Sequence, residues 1–327
     1  MIFCIRKKKK INLVLKSKLC KVYNLLPFNN KKLNIMLRYI KFIEFNKENI
    51  VKSKYVLHKD LWNDEINNKI SESYNYFISG SDQIWNPNSP FCNRYAFLDF
   101  AKKGQKIAYA PSFGINKLPA EYEKSYKRWI DNIDYLSVRE EVGAYIIKEL
   151  TGRDAEVLVD PTIMLSKDEW LSIAQKPKCY KGKKYILTYF LGKMSEEVNI
   201  KLNKLARENN YEIINLLDKM DREVYSVDPS EFIWLINNAQ LMCTDSFHGV
   251  VFSLIMKTPF VVLNRIDQFG SMNSRIDNLL KLFNKEERYE MSIDNKDIFS
   301  MDFSNVDSIM DIERKKAYRY LRNAMNL

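Results

Sequence analysis

The chain has 327 residues, of which 46% are hydrophobic and 13% aromatic, and this is enough apolar material for two cores. The first 50 residues hold 13 lysines and arginines against 2 acidic residues, while the remainder holds 39 of each, so the net charge of +11 is confined to one end. Because a nucleic-acid-binding surface needs cationic residues across the folded body, this distribution disfavours a nucleic-acid partner. The five scattered cysteines form no CxxC pair and indicate a reduced, cytoplasmic protein without a structural metal.

Residues 1–50 form a basic N-terminal segment in which lysines alternate with short apolar runs. These runs are too short for a signal peptide or a membrane span. The pattern permits an amphipathic helix that an anionic membrane surface would attract by roughly 1 kcal/mol per basic residue. A solvated helix packed on the first domain and a disordered arm fit the pattern equally well. We therefore expect a cytoplasmic protein, with peripheral association at the inner face of the membrane as one alternative.

Strand and helix patterns alternate over residues 51–175 and predict an N-terminal Rossmann-like domain. Strands are predicted at residues 74–78, 105–110, 135–138 and 156–159, and helices at 121–133 and 141–150. Gly152 closes the second of these helices, and Ser166 with Glu169 predicts a capping box for the next one.

A Lys/Pro-rich stretch at 176–184 predicts the passage to a C-terminal Rossmann-like domain, residues 176–327. Strands are predicted there at 185–191, 211–217, 240–245 and 259–263, and helices at 195–209, 274–283 and, closing the chain, near 305–325. Asp228, Pro229 and Glu231 predict the capped start of one further helix. The fold class predicted for the whole chain is α/β, with two Rossmann-like domains that face each other across a cleft.

The stretch TDSFHG at residues 244–249 joins a predicted strand to an apolar helix. Ligands of open α/β sheets bind at the carboxyl ends of strands, and a helix N-terminus attracts anions. His248 stands at this helix start, and His58 is the one other histidine of the sequence. Histidine can exchange protons near neutral pH, although a buried histidine that is merely hydrogen-bonded is the alternative. We expect Gly249 to let a ligand approach the backbone closely.

Two more loops follow predicted strands and carry polar side chains. Residues 79–86, SGSDQIWN, combine hydroxyl groups with the carboxylate of Asp82, and Arg139 ends the strand at 135–138. On sequence alone, Asp82 could cap its own loop as an Asx-turn. Arg139 could form an ion pair with Glu140 or Asp160. Within the first of these loops, the tryptophan is predicted to lie in the core.

Six short motifs in order resemble the polysaccharide pyruvyl transferase family: SGSDQIWNP (79–87), YAPSFG (109–114), SVRE (137–140), DPT (160–162), TDSFHG (244–249) and NSRIDNLL (273–280). The resemblance spans about residues 45 to 285. It implies a GT-B-like fold and transfer of an enolpyruvyl group from phosphoenolpyruvate to a sugar hydroxyl, usually as a cyclic ketal on a cell-surface glycan. It implies phosphoenolpyruvate as donor substrate, a glycan or lipid-linked oligosaccharide as acceptor, no cofactor and no metal.

The resemblance also implies site residues, since a donor with a carboxylate and a phosphate needs converging hydrogen-bond donors, and the transfer needs an acid and a base. The expected catalytic residues are His248, Arg139, Asp82 and Asp245. The expected donor-binding residues are Arg139, Ser246, Phe247, His248 and Gly249. The expected acceptor or cleft-lining residues are Ser79, Gly80, Ser81, Asp82, Ser112 and Arg275, although on sequence alone the last could be on the solvated side of its helix.

One feature departs from the family, whose members usually begin with a strand and an Asn/Gly-rich loop. This chain has no glycine before Gly80, so we expect the first βα unit to be replaced or the encoded chain to lack its start. Two other functions stay open: a GT-B-like glycosyltransferase that uses a sugar nucleotide, and a non-catalytic member that binds a glycan or a partner. The sequence has no convincing D-x-D motif, which disfavours a metal-dependent sugar transferase.

Overall fold

Parallel strands joined by helices form the framework of this computed structural model, which describes residues 30–55, 57, 62–264 and 274–327. The helices are α1 (Lys31–Asn49), α2 (Asp64–Ser73), α3 (Ala120–Asp131), α4 (Glu141–Thr151), α5 (Lys167–Leu171), α6 (Glu196–Glu208), α7 (Arg222–Tyr225), α8 (Pro229–Asn238), α9 (Phe247–Met256), α10 (Ser274–Phe283) and α11 (Val306–Met325). The strands are β1 (Phe77–Ser79), β2 (Lys106–Ala108), β3 (Ser137–Val138), β4 (Glu156–Val157), β5 (Tyr185–Tyr189), β6 (Glu212–Asn215), β7 (Leu241–Thr244) and β8 (Phe260–Val262). Two short 3-10 helices cover Pro161–Met164 and Glu286–Arg288.

The first four strands form two parallel pairs, β1 with β2 and β3 with β4. A single parallel bridge between Ile107 and Tyr135 connects the two pairs side by side. Each of the four predicted strands is present but shorter than its apolar run, because pairing extends over only two or three residues. The first begins three residues later than predicted, since Phe77 is where the backbone first bonds to the neighbouring strand, at Gln105.

The last four strands form one parallel sheet in the order β6-β5-β7-β8. Its two central strands carry almost continuous apolar sequence because both faces are covered, and Ile186, Leu187, Leu241 and Met242 are fully buried. The prediction of four strands and a mixed α/β fold with parallel sheets is confirmed here. The arrangement of two domains across a cleft stays a prediction.

Helix ends follow the local sequence signals closely. Ser166 with Glu169 and Asp228 with Glu231 each form the predicted capping box, in which the first side chain accepts a backbone N–H and the glutamate reaches back. Gly152 ends α4 in the left-handed conformation, with φ of 74°. These signals act within four residues, which is why they can be predicted from the sequence.

Helix α1 packs on residues of the second half of the chain, so for residues 31–49 the alternative of a helix packed on the first domain does not hold. Arg38 donates to the carbonyl of Tyr225 at 2.9 Å, and Lys41 forms an ion pair with Glu231 at 2.8 Å. Residues 1–29 lie outside the described residues, and the predicted membrane contact stays a prediction. No helix in the described ranges is both long and apolar enough to cross a membrane.

Helix α11, the predicted closing helix, begins against the core of the second sheet, through Val306 and Met310, and packs its later turns on the first strands. Ala317 and Tyr320 belong to one buried cluster with Ile107 and Leu158. The hydroxyl group of Tyr320 donates to the carbonyl of Ala108 in β2 at 2.7 Å. Residues within the predicted C-terminal domain, 176–327, therefore complete the core around the first strands.

The tryptophan of the loop after β1, Trp85, is fully buried, as predicted. Its ring stacks on Phe97 at 4.9 Å and meets the edge of Phe113 at 5.5 Å. Its indole N–H donates to the carbonyl of Ala96 at 3.1 Å, so the buried polar group is satisfied. This anchor fixes the loop of residues 79–87 beside the strand ends.

Candidate functional site

A cavity of about 790 Å³ lies at the strand ends that carry the sequence motifs. Its wall includes residues that follow β1, β4, β5 and β7, so both groups of strands contribute to it. The carboxyl ends of parallel strands are the usual ligand-binding edge of an α/β sheet. Of the predicted site residues, the structure places these at the wall: Ser79, Gly80, Ser81, Asp82, Asp245, Ser246, Phe247, His248 and Arg275.

Asp160 is the centre of the polar network at the cavity wall. Its buried carboxylate accepts from Arg139 Nη1 at 2.6 Å and from Ser81 Oγ at 2.7 Å, and His248 Nε2 lies 3.7 Å away. Burial raises the pKa of Asp160, but the neighbouring His248, Arg139 and the Thr162 backbone N–H outweigh it and hold the pKa well below its usual range. Asp160 is therefore ionised at neutral pH and can stabilise a protonated imidazole.

Arg139 lies behind the cavity wall, because its side chain is only 2% exposed. Of its two predicted ion-pair partners, Arg139 pairs with Asp160. Its guanidinium carbon lies 4.3 Å from the ring centre of Phe247. The side chain lines a second, smaller cavity of about 430 Å³ instead of the main one. Its charge can reach a ligand in the main cavity through the low-dielectric interior, and direct contact with the donor stays a prediction.

Asp82 and Arg275 face each other at the cavity wall. Asp82 Oδ1 lies 3.4 Å from Arg139 Nη2 and 3.7 Å from Arg275 Nη1, so its side chain turns to the arginines and the Asx-turn alternative is wrong. The Arg275 side chain is 9% exposed, so it is not on a solvated helix face. The Asp82 side chain is 65% exposed, so this carboxylate is accessible from the cavity.

Helix α9 begins at the cavity wall with Ser246 as its cap. Ser246 Oγ accepts from the backbone N–H of Gly249 at 3.4 Å. In the described part of the chain, the backbone N–H groups of Phe247 and His248 have no protein acceptor within hydrogen-bond distance. The helix dipole adds partial positive charge at this end, and the imidazole of His248 is 37% exposed beside it. This end of the cavity is suited to an anion.

Gly249 has a packing role, and the approach of a ligand to its backbone stays a prediction. A side-chain Cβ at this position would lie 2.6 Å from Thr244 Oγ1 and 3.1 Å from Met242 Cε. The glycine is buried and is not part of the cavity wall. It therefore allows α9 to pack closely against the strand that precedes it.

Asp245 and Ser112 also differ from their expected surroundings. The two carboxylate oxygens of Asp245 accept from the backbone N–H groups of Leu191 and Gly192, each at 2.7 Å, which fixes the loop after β5. Ser112 is fully buried and donates to Glu140 Oε1 at 2.9 Å, so it does not line the cavity. Asp245 is at the wall, but its contacts favour a role in positioning the loop.

Sequence reasoning missed Asp160 as a site residue. It is part of the DPT motif, and the sequence predicts it only as a possible ion-pair partner of Arg139. The signal that could have found it is its position, since it is a carboxylate at the carboxyl end of a predicted parallel strand. Among the described residues, no three His, Cys, Asp or Glu side chains form a group that could hold a metal ion.

The sequence pattern of a known family, described as polysaccharide pyruvyl transferase, matches residues 15–267. The match covers most of the chain, includes the TDSFHG turn, and begins within the basic segment. Together with the α/β fold it defines a transferase that modifies polysaccharides. The chain belongs to the polysaccharide pyruvyl transferase family.

No curated protein matches this sequence. Two solved structures are similar over 96% of this chain and 100% of theirs: a variant of the wall teichoic acid polymerase TagF, at 14% identity and a TM-score of 0.40, and the same variant after a soak with CDPG, at 14% identity and a TM-score of 0.38. Scores this low carry no argument about the fold or the function of this chain.

Proposed function

We propose that this protein transfers a pyruvyl group from phosphoenolpyruvate to a pair of sugar hydroxyls on a cell-surface polysaccharide or its precursor, forming a pyruvate ketal. The observation that carries the proposal is the convergence of His248, Asp160 and Arg275 at one cavity. This arrangement offers a titratable group, a carboxylate that can stabilise its protonated form, and a cation for the donor. Family membership supports the reaction class.

The donor is a small enol with a carboxylate and a phosphate, and the cavity offers groups that match both. The guanidinium of Arg275 can bind one anionic group, and the first turn of α9 can bind the other through the N–H groups of Phe247 and His248. Arg139 adds charge from behind the wall. The exposed carboxylate of Asp82 must turn from Arg275 toward the acceptor as the donor binds.

The reaction balances without a cofactor. A proton adds to the methylene carbon of the donor, and one sugar hydroxyl attacks the adjacent carbon and loses its own proton. The C–O bond to phosphate then breaks, the second hydroxyl attacks the same carbon, and its proton leaves with the phosphate. The products are a ketal with a new methyl group and inorganic phosphate. One acid and one base are needed at each stage.

His248 is the residue we assign to proton donation, because its imidazole is partly exposed and Asp160 stabilises its protonated form. Asp82 is the residue we assign to the acceptor hydroxyl, because its carboxylate is accessible from the cavity. Asp245 is less suited, since both of its oxygens are already bonded to the backbone.

The test is phosphate release from phosphoenolpyruvate by the purified protein, mixed with crude glycan acceptors from its host. We expect acceptor-dependent release by the wild type and its loss in His248→Gln, which keeps the size of the side chain but cannot carry the proton. A thermal shift with phosphoenolpyruvate gives a second readout, since a ligand at 100 times its Kd adds about 2.7 kcal/mol. Absence of both signals, with stabilisation by a sugar nucleotide instead, would favour a glycosyltransferase.

A further inference from the structure

The wall of the main cavity is divided by charge. Among the described residues, the charged or titrating groups of this wall other than tyrosine come from the loops after β1, β4 and β7 and from α9 and α10: Asp82, Asp160, Asp245, His248 and Arg275. The segment of residues 84–96 adds a different surface, which we call the neutral wall: Ile84, Ser89, Phe91, Asn93 and Tyr95. A hydroxyl, an amide and aromatic rings are present there without a charge. The neutral wall therefore offers no electrostatic attraction to the anionic donor.

Phe91 is the exposed aromatic residue of the neutral wall. It is 64% exposed, and the ring contacts found among the described residues do not include it. Its backbone is nevertheless fixed, because its N–H donates to Ser89 Oγ at 3.3 Å and its carbonyl accepts from Asn93 Nδ2 at 3.1 Å. The backbone N–H of Tyr95 donates in turn to Asn93 Oδ1 at 2.9 Å. The loop thus presents an open aromatic face to the cavity.

We propose that Phe91, Ser89 and Asn93 form the acceptor subsite, and that this subsite takes a neutral sugar ring. The inference rests on the proposed function, which supplies a sugar as the acceptor. The C–H face of a pyranose ring is apolar and can stack on Phe91, while its hydroxyls can bond to the Ser89 hydroxyl and the second amide hydrogen of Asn93. An apolar surface with a few placed polar groups is the usual form of a small-molecule site.

The absence of charge on the neutral wall sets the specificity. A uronic acid or a phosphorylated sugar would bring an anion to a surface where none of the described lining side chains is cationic, and desolvating that anion is costly. Acidic groups of the acceptor must then lie outside the subsite. The sugar that receives the ketal is therefore neutral. A pyrophosphate linkage, where the acceptor has one, lies farther along the glycan and outside the subsite.

The first test measures sugar binding directly, by saturation-transfer NMR with methyl glycosides of glucose, galactose, mannose, N-acetylglucosamine and glucuronic acid. We expect ring C–H signals from at least one neutral glycoside with the wild type, their loss in Phe91→Ala, and their return in Phe91→Trp. Tyr145→Ala is the matched control, because Tyr145 has the same 64% exposure away from this cavity. Binding of no neutral glycoside, or equal binding of the glucuronoside, would overturn the proposal.

The second test is kinetic and separates this inference from the proposed function. We expect Phe91→Ala to raise the acceptor KM on the order of tenfold and to leave the phosphoenolpyruvate KM unchanged. Unchanged acceptor KM, with normal phosphate release, would reject the subsite and keep the pyruvyl transfer. If Phe91→Ala loses sugar binding but the wild type releases no phosphate, the pyruvyl transfer is rejected and the sugar-binding subsite is kept.

Discussion

His248 Nε2 lies 3.7 Å from Asp160 Oδ2, although the two residues follow strands of different sheets. Asp160 extends from β4 and His248 begins the helix after β7. The pair is therefore formed only when the two groups of strands are correctly placed. Arg139 and Ser81 hold the carboxylate from the side of the first strands, which leaves His248 to be positioned by the second sheet.

Replacing Asp160 with Asn should destabilise the protein strongly. The change leaves the guanidinium of Arg139, which is 2% exposed, without its charged partner, and breaking such a buried pair costs about 3–5 kcal/mol. Urea unfolding at neutral pH measures the difference. Asp82→Asn is the control, since its pair with Arg139 is longer and its side chain is largely exposed, and we expect a cost below about 1 kcal/mol. Equal costs for the two variants would contradict this assignment.

The contribution of Asp160 should also depend on pH. Its pKa in the folded protein is below the unfolded value of about 3.9, so its stabilisation is fully present above that value and is lost as the pH falls through the folded pKa. The free energy of unfolding should therefore differ most between wild type and Asp160→Asn near neutral pH, and the difference should narrow below about pH 4. If the difference in unfolding free energy stays constant down to about pH 3, the pKa of Asp160 is not lowered in the folded protein.

Gly249→Ala should lower the stability even though alanine favours helices. The added Cβ would meet Thr244 Oγ1 at 2.6 Å, and overpacking of this kind costs about 1–3 kcal/mol, more than the gain of up to about 1 kcal/mol in helix propensity. Gly143→Ala in α4 is the control. A Cβ added there would lie 3.2 Å from its nearest neighbour, a side-chain atom of Phe113, which is a milder contact than the one at Gly249. Thermal unfolding compares the two. A more stable Gly249→Ala variant would mean that α9 can move away from β7.

Tyr320→Phe should cost about 0.5–1.5 kcal/mol, because it removes the hydrogen bond to the carbonyl of Ala108, which then keeps only the bond from Ser137 Oγ at 2.7 Å among its side-chain donors. Tyr318→Phe, two residues away on the same helix, changes an exposed side chain and should be close to neutral. Chemical unfolding of both variants decides whether α11 is bound to β2 as described. Indistinguishable variants would argue against that contact.

Arg275→Gln should weaken donor binding. If Arg275 binds an anionic group of phosphoenolpyruvate, the loss of a charge-assisted hydrogen bond of about 1.5–3 kcal/mol raises the donor KM by roughly ten- to a hundredfold. Arg319→Gln removes an exposed charge on α11 and serves as the control. Phosphate-release kinetics at varied donor concentration give the comparison. An unchanged KM for phosphoenolpyruvate would show that the donor does not bind to Arg275.

The features that the sequence predicted well are local. The caps at Ser166, Asp228 and Gly152 and the eight strands depend on neighbouring residues and on apolar runs, and the structure has them. The features that it did not predict depend on which elements meet. The packing of Gly249 on Thr244 and the burial of Ser112 against Glu140 required the relative position of strands and helices, which a single sequence does not encode locally.

The two ends of the described chain pack crosswise, α1 on the helices of the second sheet and the later turns of α11 on the first strands. The ribosome makes the first strands well before the residues that cover them, Ala317 and Tyr320. The apolar surface around Ile107 therefore stays uncovered while the whole second sheet is being synthesised. The core around the first strands can be completed only once Ala317 and Tyr320 have been synthesised, and apolar surface that is exposed until then is of the kind that chaperones bind.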